Sequence, residues 1–247
     1  MIKQTRFSDK IKFFFKDFCE RWNLTGYRYK TKPAFFAGVY DAADVRAINS
    51  HKGFKVIWHT GRIRPAMREV KNENCVLMLN KGIEITYPAG FKIKRTAIEL
   101  KDYSDFQPCP PGEKVYVYLG NNRVRDDYGY REVQEIKKRI DFEVIEAYLG
   151  HPMSEVMEWY GDSFINLKFR QIGGFGTSVE MAKMGRPSIG NTDMAYCMKW
   201  NDIDEMIRII NEMFYNPPDL GDLTEGVFTT GDEWKEEEFW TKNIEIT

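Results

Sequence analysis

The sequence has little with which to build a metal site or a disulfide scaffold. Its four cysteines (Cys19, Cys75, Cys109, Cys197) form no C-x-x-C pair, and its three histidines (His51, His59, His151) keep no ligand spacing relative to them. That pattern speaks against a structural zinc site and a disulfide framework. Apolar runs such as Cys75 to Leu79 fall far short of the roughly 18 residues a membrane span needs. Met1 to Arg6 lead into no signal-peptide apolar region, so the expectation is a soluble protein of the cytoplasm, the host cytoplasm if viral. There is no repeat and no low-complexity tract, which excludes solenoids and fibres. What is present is core material: 247 residues, 43% hydrophobic and 15% aromatic, suffice for one large domain or two small ones.

The net charge of -1 conceals a split, because residues 1–106 carry 21 Lys and Arg against 11 Asp and Glu, and residues 107–247 carry 15 against 26. A basic half is often just solvated surface, but an imbalance of this size points to a polyanion meeting the N-terminal half.

Apolar spacing at Ile11, Phe14, Phe15, Phe18, Cys19 and Trp22 predicts a helix over 8–22 with Ser8 as its cap. Uniformly apolar runs at 34–40, 55–59, 75–79 and 93–100 read as buried strands, with helical pieces at 41–49 and 82–87 between them. Residues 101–112, with Pro108, Pro110 and Pro111, read as a linker. A second series follows: strands at 114–119, 142–147, 164–169 and 187–190 alternate with helices at 131–140, 153–160, 178–184 and 202–214. The acidic aromatic tail ends in a further helix. Alternation of this kind predicts an α/β protein with parallel sheets covered on both faces.

The stretch from Phe169 to Ile189 carries the chemistry: strand, glycine loop, helix start, glycine stop, strand. Glycines allow close backbone approach, and free N–H groups at a helix start attract phosphate, although such a loop also serves as a plain strand-to-helix turn. Gly174-Phe175-Gly176 followed by Thr177-Ser178-Val179-Glu180-Met181-Ala182-Lys183-Met184-Gly185-Arg186-Pro187-Ser188-Ile189 resembles the donor-site signature of retaining GT-B glycosyltransferases. The resemblance implies two Rossmann-like halves with parallel sheets facing a central cleft. Residues 1–107 would form the acceptor side, 108–216 the nucleotide-sugar domain, and 217–247 a tail packing back on the body.

By the same resemblance Glu180, on the helix surface, holds the nucleotide ribose, and Gly174, Phe175, Gly176 and Thr177 line the diphosphate. Arg123 lies in the loop where such enzymes carry a basic phosphate-binding segment, joined by Lys168 and Arg170 before the glycine turn and by Gly150 and His151 near the base. His59 and Asp41, with Asp44 beside them, are candidates for the group that activates the acceptor hydroxyl; Asp41 and Asp44 equally fit helix-cap roles. Arg62, Arg64 and Lys32 are candidates for acceptor binding. The implied activity is transfer of a hexosyl or pentosyl unit from a nucleoside diphosphate sugar, expected to be a UDP-sugar, with no cofactor or metal.

Hydroxymethylated bases of bacteriophage DNA suit the charge split as acceptor; a glycan or lipid-linked acceptor suits the fold equally. The chain departs from the family where Ile172 replaces an earlier glutamate and Arg62 replaces an aspartate. Those departures keep open a non-catalytic nucleotide- or nucleic-acid-binding protein. Asp202-Ile203-Asp204 matches a metal-binding D-x-D but also reads as the acidic first turn of a helix.

Overall fold

The computed structural model describes residues 1–59, 65–80, 89–170, 175–191, 196–221, 223–225, 227–229 and 231–246, without the side chain of Phe175. The chain divides into two compact units, Met1–Asp102 with Gly226–Thr247, and Tyr103–Glu225. The piece predicted to be helical at 82–87 lies outside the described residues.

The first unit holds seven strands: β1 (Gln4–Phe7), β2 (Thr25–Gly26), β3 (Ala34–Ala37), β4 (Lys55–Trp58), β5 (Cys75–Leu79), β6 (Lys92–Arg95) and a strand from the tail, Glu245–Ile246. All neighbours in this sheet pair in parallel except the tail strand, which runs antiparallel to β6. The strand predicted over 93–100 is thus shorter, and β1 and β2 escaped the sequence reading. Side chains alternate across the sheet: Phe35, Val56, Trp58, Val76 and Met78 face one core with Phe18 and Trp22 of α1 (Phe15–Trp22). Phe36, Ile57, Leu77 and Leu79 face the other, with Val45 and Ile48 of α2 (Ala42–Ser50). Both faces are covered, as a parallel sheet requires.

The helix expected from Ser8 begins later. Residues 12–14 form a turn of 3-10 helix, α1 follows, and neither start has a side-chain cap. Ser8 instead donates its hydroxyl to Asp44 Oδ2 at 2.7 Å. That bond satisfies a buried carboxylate, a stronger demand than an exposed helix start. The tail returns to this unit, burying Trp234 against Phe18, Trp22 and Phe35 with ring centroids 5.9, 5.3 and 5.5 Å apart.

The second unit runs β7 (Lys114–Tyr118), α3 (Tyr130–Lys137), β8 (Val144–Ala147), α4 (Met153–Asp162), β9 (Ser163–Lys168), α5 (Phe175–Lys183), β10 (Ser188–Gly190), β11 (Cys197–Met198) and α6 (Ile203–Tyr215). The tail then adds α7 (Glu237–Thr241) and the edge strand β12 (Glu245–Ile246) to the first unit. The second sheet is entirely parallel, ordered β11-β10-β9-β7-β8. Counted from β7, this is the doubly wound 2-1-3-4-5 order, in which the succession of strands across the sheet reverses between β7 and β9 and ligands bind beyond the carboxyl ends of those strands. The first sheet, β12-β6-β5-β4-β3-β1-β2, has its own reversal between β1 and β3.

Of the proline-rich segment, 103–112 belongs to the second unit. It is held there by Arg186, which is 1% exposed and donates to the carbonyls of Ser163, Cys109, Met184, Pro110 and Gly161. Five N–H donors meet five acceptors. Two of those carbonyls lie at the end of α4 and just past α5, where helix dipoles are negative and favour the buried guanidinium.

Candidate functional site

At the reversal point between β7 and β9 lies an open cleft lined by Tyr118, Tyr128, Asn166, Leu167, Lys168, Phe169, Arg170, Thr177 and Ser178. The topology puts it there: β7 ends at Tyr118, β9 ends at Lys168, and α5 starts over both. Gly120 turns the chain after β7 with φ +72°, where a Cβ would stand 2.8 Å from the Tyr128 ring. Gly129, φ +84°, starts α3, and a Cβ there would lie 2.2 Å from Phe169 Cγ. These two glycines let Tyr128 and Phe169 close around the cleft.

Tyr128 meets Tyr118 edge-on at 5.5 Å and accepts a hydrogen bond from the Arg170 guanidinium, which also stands 4.8 Å from the Tyr128 ring centroid. Burial pushes the Lys168 ammonium below its usual range; Cys197 opposes that effect and the nearby Arg170 cation adds to it. Among the described residues the lining contains two cations and no carboxylate. Unpaired like charges in a concave, low-dielectric site favour an anionic ligand, and the first N–H groups of α5 add to the same field.

Beneath the cleft Asn166 Nδ2 donates to Ser188 Oγ at 2.7 Å and Ser178 Oγ at 3.3 Å, tying β9, α5 and β10 together. Glu180 is not on the helix surface: it is 7% exposed and accepts a 2.8 Å hydrogen bond from the Tyr160 hydroxyl at Oε2. Its Oε1 faces the start of α5, 3.9 Å from where a Gly176 Cβ would be.

The other donor-side candidates spread along the same sheet edge. Arg123 is exposed in the loop after β7, its N–H bonded to Asn121 Oδ1 at 3.0 Å. Gly150 (φ +113°) and His151 follow β8, the edge strand; His151 Nδ1 pairs with Glu155 Oε2 at 2.9 Å and its ring abuts Trp159 at 4.7 Å. Gly174 and the Phe175 side chain lie outside the described residues, as do Arg62 and Arg64.

In the first unit His59 and Asp41 both follow strands at the carboxyl edge. Asp41 is an exposed cap of α2, accepting from the N–H groups of Ala43 at 2.9 Å and Asp44 at 3.1 Å. His59 is 3% exposed beyond β4. Between β1 and β3, Asp44 is buried and accepts from the Ser8 hydroxyl and, at 3.0 Å, from Tyr40 N–H, with Arg6 3.7 Å away. Lys32 lies elsewhere: its carbonyl accepts from Gln4 Nε2, at the amino end of β1.

The D-x-D is a helix start. Asp202 caps α6 by accepting from Glu205 N–H at 2.8 Å, and Asp204 pairs with Arg139. Among the described residues no cluster of three or more His, Cys, Asp or Glu is arranged to hold a metal, and no described helix is long and apolar enough to cross a membrane.

Sequence reading missed Tyr118, Tyr128, Asn166, Ser178 and Tyr160. The available signal was the strand order, which would have singled out the ends of the first and third strands of the second series. No family model and no curated protein matches the chain. Among solved structures, one titled as the crystal structure of an alpha1,3-fucosyltransferase is similar with a TM-score of 0.51 and 8% identity, over 92% of this chain and 81% of that one. The architecture is therefore the two-domain, Rossmann-like GT-B fold of glycosyltransferases.

Proposed function

We propose that the chain is a glycosyltransferase that moves a hexosyl or pentosyl unit from a nucleoside diphosphate sugar to an acceptor hydroxyl. The observation that carries this reading is the cleft at the β7/β9 reversal, whose described lining holds the cations Lys168 and Arg170 beside the start of α5. A departing diphosphate gains negative charge as the bond to the sugar breaks, and fixed cations stabilise that charge most where water is excluded. In this reading Lys168, Arg170, Gly176 and Thr177 hold the diphosphate, with Arg123 closing over it from the loop. Glu180, fixed by Tyr160, offers Oε1 to the ribose hydroxyls, and Gly150 and His151 flank the base. The acceptor hydroxyl is activated at the carboxyl edge of the first sheet, where His59 and Asp41 sit. Asp41 already serves α2 as a cap, so His59 is the stronger candidate.

The acceptor is any hydroxyl compound reaching that edge, a glycan or lipid-linked sugar included. Lys32 stands at the amino edge of the sheet and does not add to the case for DNA bases as acceptor. Ile172 and Arg62, which replace acidic residues of the family pattern, favour a second reading: nucleotide binding without turnover.

Thermal unfolding against a panel of nucleoside diphosphate sugars tests both, since a ligand at 100 times its Kd stabilises the native state by about 2.7 kcal/mol. A rise in Tm that Arg170→Ala abolishes, with release of nucleoside diphosphate, supports the transferase. Stabilisation without release in the presence of varied acceptors selects the binding protein, and no stabilisation by any member removes both.

A further inference from the structure

The amino-terminal edge of the first sheet, opposite the edge that carries His59 and Asp41, is a rigid cationic rim. Its centre is the loop 28–32. Gln4, 3% exposed on β1, grips this loop with its whole carboxamide: Nε2 donates to the carbonyls of Tyr29 at 2.7 Å and Lys32 at 3.0 Å, and Oε1 accepts from the N–H groups of Arg28 and Tyr29, both at 3.0 Å. The Lys30 carbonyl accepts from the N–H groups of Lys52 and Gly53 at 2.7 and 3.1 Å, which joins the loop to the chain entering β4. Lys3 adjoins it through its carbonyl, which accepts from Thr25.

The side chains of Lys3, Arg28, Lys30, Lys32 and Lys52 are exposed. Among the described residues none of the five makes an ion pair. From Arg21 to Tyr40 the sequence contains no Asp or Glu, and Glu73 is the nearby carboxylate before β5. Tyr29 stands among the cations, 55% exposed, with the Lys32 ammonium 4.5 Å from its ring centroid.

We propose that this rim binds single-stranded nucleic acid, as an anchoring surface separate from the nucleotide-sugar cleft. Five cations, three of them on a loop held by the Gln4 carboxamide, cost little ordering when phosphates arrive, and an exposed aromatic ring among them is the platform on which an unpaired base stacks. An anionic membrane surface would call for several apolar anchors on one face, and loop 28–32 exposes a single ring, Tyr29, among its cations. Duplex DNA would leave Tyr29 without an unstacked base. The rim binds in this way whether or not the cleft transfers a sugar.

The test is fluorescence anisotropy of labelled oligothymidylate with the full-length protein at several salt concentrations. The expected result is saturable binding whose log affinity falls linearly with log salt. Lys30→Ala with Lys32→Ala should make that slope shallower by about 1.4, at about 0.7 for each phosphate no longer neutralised. Tyr29→Ala should weaken binding about tenfold and leave the slope unchanged. Both variants are at exposed positions, and their thermal unfolding should match the parent. The proposal is overturned if the oligonucleotide fails to bind at low salt. It is overturned equally if Tyr29→Ala has no effect while heparin competes on equal terms, or if the same lysines drive co-sedimentation with phosphatidylserine vesicles in place of oligonucleotide binding.

Discussion

The Tyr160 hydroxyl donates to Glu180 Oε2 at 2.8 Å, and both side chains are buried, on α4 and α5 respectively. The contact joins the two helices that flank β9 and leaves Glu180 Oε1 as the oxygen turned toward the start of α5. Burial first, and then the Glu180 carboxylate, raise the Tyr160 phenol well above its ordinary pKa of 10.0.

Replacing Tyr160 with phenylalanine removes one donor from a buried carboxylate, at a cost of about 1 to 3 kcal/mol in urea unfolding. If Glu180 meets the ribose, Tyr160→Phe should also weaken nucleoside diphosphate binding in calorimetry, and Glu180→Ala should weaken it by about 1.5 to 3 kcal/mol. Unchanged affinity in Glu180→Ala would remove it from the donor site. The pH dependence has a definite sign. Tyr116, Tyr160 and Tyr196 all have phenols raised by burial, so above pH 10 the unfolded chain loses protons that the folded chain keeps. Stability is complete below pH 10 and declines above it, and the share of tyrosinate absorbance that these three phenols contribute should rise together with unfolding rather than ahead of it.

Arg186 tests how the proline-rich segment is held. Its five donors reach carbonyls at 109, 110, 161, 163 and 184, so lysine cannot replace it. An ammonium group has three donors and no fork. Arg186→Lys should destabilise the second unit by about 4 kcal/mol or more, placing it among the large single-residue effects. A urea midpoint within experimental error of the parent would mean that the segment packs without this anchor.

Gly129→Ala probes the cleft wall. Its φ of +84° already disfavours a side chain, and the added methyl would collide with Phe169 at 2.2 Å. Backbone strain of this kind costs about 1 to 3 kcal/mol, and relief requires Phe169 to move within the cleft lining. Nucleoside diphosphate affinity should therefore fall along with Tm, whereas Gly161→Ala, whose Cβ would meet nothing within 4 Å, should leave both near the parent values.

Much of the second unit was legible because its strands are apolar runs set between helices with clear apolar faces, from Val115 and Val117 to Met206 and Ile210. α5 was legible for the same local reason. β1 was not, because three of its four residues, Gln4, Thr5 and Arg6, are polar. Gln4 and Thr5 are buried only because distant partners satisfy them: loop 28–32 for Gln4, and the Phe35 carbonyl, at 3.0 Å, for the Thr5 hydroxyl. The charge split was exaggerated by where the tail falls in the sequence. The acidic tail, with Asp232, Glu233, Glu236, Glu237 and Glu238, belongs to the basic unit, where Trp234 and Trp240 bury completely. Counted by unit, the first carries 23 Lys and Arg against 16 Asp and Glu, a smaller imbalance than the sequence halves display. Glu180 was found by its motif but misplaced, since its burial depends on Tyr160, twenty residues away.

The cleft cations allow the donor reading to be tested piece by piece. If Lys168 and Arg170 hold the diphosphate, Lys168→Met and Arg170→Met should each cost about 1.5 to 3 kcal/mol in binding a nucleoside diphosphate, the range for hydrogen bonds to charged groups. Neither should change the affinity for the corresponding nucleoside, which lacks the phosphates. Equal losses for both ligands would mean that the substitutions disturb the base pocket or the fold, and that the diphosphate lies elsewhere. Lys168 adds a pH signature. Its pKa is lowered chiefly by burial, with Arg170 contributing, so it loses its proton as pH rises sooner than an exposed lysine. Diphosphate affinity should decline in the alkaline range below pH 10.5, the ordinary lysine value, and the decline should vanish in Lys168→Met. An alkaline profile identical in parent and variant would show that Lys168 carries no charge that the ligand uses.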